Sequence, residues 1–116
     1  MRHRKKTIKL GRKQGPRIAL LKSLAESLVL HESIITTKAK AKALKTVVEP
    51  LITKGKRNQE IDREKINQVL LTGRAVKKLI EEISPRYKER RGGYTRIIKL
   101  GYRSSDSAEK VKIEFV

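Results

Sequence analysis

Cysteine and tryptophan are both missing from this 116-residue chain, and only four aromatic rings occur: Tyr87, Tyr94, Tyr102 and Phe115. Without cysteine there is no disulfide framework and no thiolate metal site, which fits a reducing compartment. So few rings argue against base stacking as the main way of holding nucleic acid. No apolar run approaches the roughly 20 residues needed to span a bilayer. Met1-Arg2-His3-Arg4 also lacks the apolar segment of a signal peptide. The expectation is a soluble, intracellular protein with no membrane partner. Acid is scarce as well: 12 carboxylates stand against 30 Lys and Arg, a net charge of +18. Self-repulsion of that size opposes compaction, so it points to a polyanionic partner. The length allows a single domain with one modest core.

The imbalance is sharpest at the start. Residues 1–17 hold Arg2, Arg4, Lys5, Lys6, Lys9, Arg12, Lys13 and Arg17 and no acid. With only Met1, Ile8 and Leu10 apolar, this stretch cannot bury enough surface to fold alone. A basic arm over residues 1–15 is expected, ordered only when phosphates neutralise it. The globular domain is expected over residues 16–116.

Pro16 suits the first turn of a helix. Ile18, Leu21, Ala25 and Leu28 then recur at three- and four-residue steps, with Leu20, Leu24 and Val29 widening the stripe. His31, near the helix end, would complement the dipole and has no second ligand close in sequence. Ser33 to Thr37 reads as a short β-branched strand, and Thr37 is placed to cap the following helix. That helix buries Ala41, Leu44, Val48 and Leu51. It begins with Lys38, Lys40 and Lys42, against its own dipole, as an anionic partner would require. Pro50 predicts a kink rather than a break, because Leu51 and Ile52 continue the stripe.

Lys54 to Asn58 reads as a basic loop and residues 59–72 as a polar, solvent-facing helix broken by Gly73. A short amphipathic helix through Ala75, Val76, Leu79, Ile80 and Ile83 should end before Pro85. Arg86 to Arg91 reads as a second basic loop. Two strands follow, Tyr94 to Tyr102 and Lys110 to Val116, joined by the turn residues Ser104-Ser105-Asp106-Ser107. The fold class expected is α+β. It is a two-layer single domain, a small three-stranded mixed sheet covered by helices on one face, with the basic arm extending from it.

The stretch from Glu89 to Arg103 carries the densest functional signal. Gly92 and Gly93 remove Cβ at two successive positions, permitting a tight turn or the close approach of another molecule. Arg86, Arg90, Arg91, Arg96 and Arg103 flank or interrupt the strand that follows, and each offers a planar donor fork that fits phosphate.

Several segments, in order, resemble the bacterial large-subunit ribosomal protein L-seventeen family. They are Met1-Arg2-His3-Arg4-Lys5, Ser27-Leu28-Val29 with His31-Glu32, Ile35-Thr36-Thr37 and Lys40-Ala41-Lys42. Val47-Val48-Glu49-Pro50-Leu51-Ile52-Thr53 follows, then Pro85-Arg86-Tyr87, Arg90 and Gly92-Gly93-Tyr94-Thr95-Arg96-Ile97. Residues 58–78 lack a clear match. The resemblance implies one domain in which the C-terminal hairpin pairs with the strand after the first helix. It also implies a non-enzymatic protein that binds large-subunit rRNA on the outer face of the subunit, near the exit of the nascent-chain tunnel. Its partners would be that rRNA and neighbouring ribosomal proteins, in the cytoplasm, with no cofactor, metal or small-molecule substrate.

The expected rRNA-binding residues are Arg2, His3, Arg4, Lys5, Lys6, Lys9, Arg12, Lys13 and Arg17 of the arm. To these the domain adds Lys38, Lys40, Lys42, Arg86, Arg90, Arg91, Gly92, Gly93, Tyr94, Arg96 and Arg103. A-form RNA hides its major-groove edges, so recognition would rest on phosphates, shape and 2′-hydroxyls. A nucleoid-type DNA-binding protein is the alternative, but no helix-turn-helix, zinc finger or heptad repeat supports it. An RNA-processing enzyme would need a catalytic cluster. Glu60, Asp62 and Glu64 are the one dense acidic group, and their spacing does not place all three on one helix face. A solvated first helical turn accounts for them better.

Overall fold

The computed structural model describes residues 14–116. Of the expected arm, residues 1–13 lie outside the described residues, while Gln14 and Gly15 already belong to helix α1 (Gln14–His31). Pro16 sits in the opening turn, where a missing N–H costs nothing. Ala25, Leu28 and Val29 are fully buried, whereas Ile18, at the head of the expected stripe, is 40% exposed. Glu32 ends the helix in the left-handed region at φ 66°, with its N–H on the Leu28 carbonyl at 2.7 Å.

Strand β1 (Ser33–Thr37) leads directly into α2 (Lys38–Arg57), and the Thr37 hydroxyl accepts from the Lys40 N–H at 3.4 Å, as its position predicts. Helix α2 runs unbroken through Pro50 and buries Ala41, Leu44, Val48, Leu51 and Ile52. It also absorbs Lys54 to Arg57, so the basic loop expected there is helix. Gly55 misled the reading. It is buried, and a Cβ there would lie 2.2 Å from Ser84 Oγ, so glycine lets two segments cross closely rather than ending one. Asn58, at φ 51°, closes the helix by donating its N–H to the Lys54 carbonyl at 2.9 Å.

Helix α3 (Glu60–Val69) is less solvent-facing than its polarity predicts, since Asp62 and Ile66 are buried and Leu70 beyond it is 1% exposed. Gly73 opens α4 (Gly73–Lys78) behind the capping hydroxyl of Thr72. Helical winding then continues through a π turn, Leu79–Ile83, and a 3-10 turn, Ser84–Tyr87. The chain thus winds past Pro85 instead of stopping before it. Pro85 lies in the first turn of the 3-10 segment, where proline is tolerated. The second basic loop consequently starts at Lys88.

Strands β2 (Thr95–Tyr102) and β3 (Glu109–Phe115) form the expected hairpin, and β3 also pairs with β1, giving the order β1-β3-β2. Both pairings are antiparallel, so the sheet is not the mixed one expected. The central strand runs opposite to both neighbours, and no adjacent pair needs the crossover connection that parallel strands require. Register aligns Ile34, Ile113 and Ile97 across one face and Ile35, Lys112 and Ile98 across the other. Helix α2 packs on the first face against all three strands, and α1 packs against α2 and α4. Leu28, Leu44, Val48, Ile52, Leu79 and Ile113 are 0% exposed in the layer between. Each such side chain contributes about 1.5–3 kcal/mol relative to exposure.

Candidate nucleic-acid interface

The loop from Lys88 to Gly93 is held from beneath. Tyr87, just before it, donates its hydroxyl to the Val116 carbonyl at 2.7 Å. Tyr94, just after it, donates to the Arg90 carbonyl at 3.1 Å, and the two rings pack 5.2 Å apart at 53°. Lys56 of α2 joins this support. Its ammonium donates to Tyr94 Oη at 2.9 Å and to the Arg90 carbonyl, and it lies 5.1 Å from the Tyr94 ring centroid. Burial pushes the Tyr87 phenol above its ordinary pKa, with Arg86 and Arg90 opposing. Within the loop, the Arg90 N–H reaches the Tyr87 carbonyl at 2.9 Å and its guanidinium reaches the Gly93 carbonyl at 3.3 Å. Gly93 has φ +66°, which accounts for glycine there. The exposed side chains of this pinned loop are Lys88, Glu89, Arg90 and Arg91. Tyr94, expected at the surface contacting RNA, is 1% exposed, because its ring supports the loop from inside.

The start of β2 is tied to α2 through Glu49, whose carboxylate accepts from the Thr95 N–H at 3.2 Å and the Thr95 hydroxyl at 2.9 Å. This places the Gly92-Gly93 turn beside the C-terminal half of α2. Lys40 and Lys42 lie earlier on that helix, about 10–20 Å away along its axis at 1.5 Å per residue. The expected basic residues of the domain are thus spread along the length of α2 and the loop beside it. Arg17 lies half-buried in the first turn of α1. Arg2, His3, Arg4, Lys5, Lys6, Lys9, Arg12 and Lys13 are outside the described residues.

Most remaining expected contacts are engaged within the fold. Arg86 forms a two-pronged pair with Glu32, Nη2 to Oε2 being 3.2 Å, and Lys78 approaches the same carboxylate at 3.3 Å. Hydrogen bonding from Arg86, opposed by desolvation and reinforced by Lys78, lowers the Glu32 carboxyl to a pKa of about 2. On the sheet, Glu114 takes Arg96 at 2.6 Å and Lys112 at 3.2 Å, while Glu109 takes Lys38 at 3.4 Å and Lys99 at 4.0 Å. Arg96, then Lys112, hold Glu114 below its ordinary pKa. Arg103 clasps Asp106 across the hairpin tip, Nε to Oδ1 being 3.1 Å, and lowers that carboxyl too. Among the described residues Lys40, Lys42 and Arg91 make no ion pair.

The sequence places Lys54, Lys56, Arg57 and Lys88 in basic loops but not among the expected contacts, and the structure brings all four to the flanks of the last turns of α2. Continuing the helical period of α2 through Gly55 would have drawn the first three beside the loop. The acidic group also differs from expectation: Asp62 is 2% exposed, bonding Arg57 at 2.8 Å and capping α3 through the Gln59 N–H at 3.3 Å. Glu60 and Glu64 are exposed, and among the described residues no three such side chains gather as a metal site would require. Among the described residues no helix is long and apolar enough to cross a membrane.

Comparison with known proteins places this architecture. A family model described as "Ribosomal protein L17" matches residues 20–116. The "Large ribosomal subunit protein bL17" of Salinibacter ruber is 49% identical over 116 residues, covering 100% of this chain but 59% of that protein. The protein of the same description from Syntrophotalea carbinolica is 47% identical, with 100% of this chain and 75% of the relative aligned. That of Petrotoga mobilis is 48% identical over 117 positions, covering 94% and 91% respectively. This chain thus spans about three-fifths of the Salinibacter relative and most of the Petrotoga one. It belongs to the ribosomal protein L17 family.

Proposed function

We propose that this chain is a structural constituent of the large ribosomal subunit, binding folded rRNA through phosphate and shape contacts. The observation that carries the reading is the pre-ordered loop. Residues 88–93 are fixed from below by Tyr87, Tyr94 and Lys56, and present Lys88 and Arg91 outward. Order before binding lowers the entropic cost of docking a rigid RNA surface. The bL17 proteins it is similar to carry the large subunit in their description, and the family is one of ribosomal proteins rather than enzymes.

Seven of the 30 cations and none of the 12 acids lie in residues 1–13, leaving a charge of +11 on the rest. The arm from Arg2 to Lys13 would insert between RNA helices and neutralise their mutual repulsion. Lys40, Lys42, Arg91, Gly92 and Gly93 would contact backbone. Arg86, Arg96 and Arg103 would reach RNA only by sharing their carboxylates. The seat proposed is the cytoplasmic ribosome, at the outer face of the subunit near the tunnel exit, beside other large-subunit proteins.

Gradient sedimentation of cell extract across a salt series tests this. The chain should travel with the large subunit and resist moderate salt, and crosslinks should map to rRNA near the exit. Migration with chromosomal DNA would favour the nucleoid-type alternative instead. If about 6–10 phosphates are contacted, affinity for the isolated rRNA should fall by several powers of ten over a modest salt increase.

A further inference from the structure

The last turns of α2 carry a cleft on either side, and the two share Thr53 and Arg57. One, of about 360 Å³, lies between Lys54, Arg57, Arg91 and Gly92. The other, of about 470 Å³, lies between Lys56, Arg57 and Lys88. Five cations thus border a trough whose one carboxylate is Glu49, and Glu49 already accepts two hydrogen bonds from Thr95. Arg57 is steadied by Asp62 and Lys56 by Tyr94, which fixes the trough's walls. Lys54, Lys88 and Arg91 have no ion-pair partner among the described residues.

Helix-dipole complementation explains cations in the last turn of α2. It does not explain Lys88 and Arg91, which face that turn from another segment. Nor does the fold explain Gly92. Its φ lies outside the left-handed region, and a Cβ built there meets nothing within 4 Å. Inside the protein any small residue would serve, so the missing side chain matters only to something approaching from outside. Among the described residues the N–H groups of Arg91, Gly92 and Gly93 find no acceptor and remain available to it.

The geometry points to a track for the sugar–phosphate backbone of a single RNA strand, crossing the end of α2 between Lys54, Arg57 and Lys88 and beneath the Arg91-Gly92 turn. This rests on the rRNA-binding reading and adds the segment of RNA taken and the residues that take it. The guanidinium fork of Arg91, and that of Arg57 while it shares Asp62, suit non-bridging phosphate oxygens, and the lysines act as point charges. Phosphate contacts made by these cations carry no sequence information.

The test uses the full chain and a large-subunit rRNA transcript, with affinity measured across a salt series. Lys54→Gln and Arg91→Gln should each weaken binding by about tenfold at moderate salt and reduce the salt slope by about one unit. Gly92→Ala should weaken binding while leaving the thermal midpoint unchanged, and Lys99→Gln on the sheet serves as the control. If the wild type binds with a steep salt slope but all three trough variants match it, the track is refuted and the broader rRNA reading survives. If those variants bind RNA normally yet are lost from the subunit, an acidic protein occupies the trough instead, and the RNA track is refuted. A wild type that does not bind rRNA overturns both.

Discussion

The sheet, with Lys38 at the start of α2, and the edge formed by the end of α2 with the Lys88–Gly93 loop use the same residue types in opposite ways. On the sheet, Glu109 and Glu114 each sit between two cations, so Lys38, Lys99, Arg96 and Lys112 all have a carboxylate within 4.0 Å. Like charges on neighbouring strands destabilise a sheet, and the interleaved acids relieve that. Along the α2 edge no such relief exists for Lys54, Lys88 and Arg91, and the support contains no carboxylate: two tyrosines, a lysine ammonium on a carbonyl, and a glycine crossing. Repulsion tolerated in one region and neutralised in another is a sign of where an external anion belongs.

The sharpest way to break the comparison is to wedge the crossing that holds the edge together. Gly55→Ala puts a methyl 2.2 Å from Ser84 Oγ and 3.1 Å from its Cβ, both buried. Overpacking of this kind costs about 1–3 kcal/mol, read as a lower denaturation midpoint. Adding Ser84→Gly should restore much of it; no recovery would mean that the crossing is not the cause. A milder change is Tyr94→Phe, which keeps the ring but removes the hydroxyl that accepts from Lys56 and donates to the Arg90 carbonyl. Its expected cost is about 1 kcal/mol. Amide exchange should quicken at residues 88–93 and not in the sheet; unchanged exchange there would separate loop order from this latch.

The sheet was legible because period-two alternation in Val111, Ile113 and Phe115 has few competing explanations. Most of the α2 stripe was legible for the parallel reason. What escaped was set by contacts distant in sequence. Gly55 and Pro85 read as breakers because their local preferences are clear, yet Ser84 packs on the first, and the second falls at the start of a 3-10 turn. Arg86, Arg96 and Arg103 were recognised as basic, but no local pattern pairs Arg86 with Glu32, 54 positions away. Tyr94 had no alternation to distinguish a ring turned inward from one turned out.

Acid tests the pair that closes the domain on the other side of the loop. The Glu32 carboxyl, at about 2 in the fold against an ordinary 4.5, stabilises the folded state fully above the higher value. That stabilisation is lost as pH falls from about 4.5 through about 2. The side chains of Arg86 and Glu32 are 42% and 37% exposed, so screening discounts the pair to about 1 kcal/mol. Glu32→Gln should flatten the stability–pH curve in that window and leave the plateau slightly lower. A curve as steep as the wild type's would assign acid sensitivity to other carboxylates.

The smallest effect expected is on the sheet itself, and it is the most direct check on what the acids there do. Glu114→Gln removes the carboxylate opposite Arg96 in the β2–β3 register and beside Lys112. Because Glu114 titrates below its ordinary pKa, its contribution is present near neutrality and is lost on acidification. The variant should lose a little stability at low salt and regain it as salt screens the exposed cations. Affinity for rRNA should hold or rise slightly, since two cations gain freedom while none is removed. A fall in affinity with stability intact would mean that the Arg96–Glu114 pair itself presents a group to RNA. The contrast between a neutralised sheet and an open α2 edge would then give way to a binding surface on both.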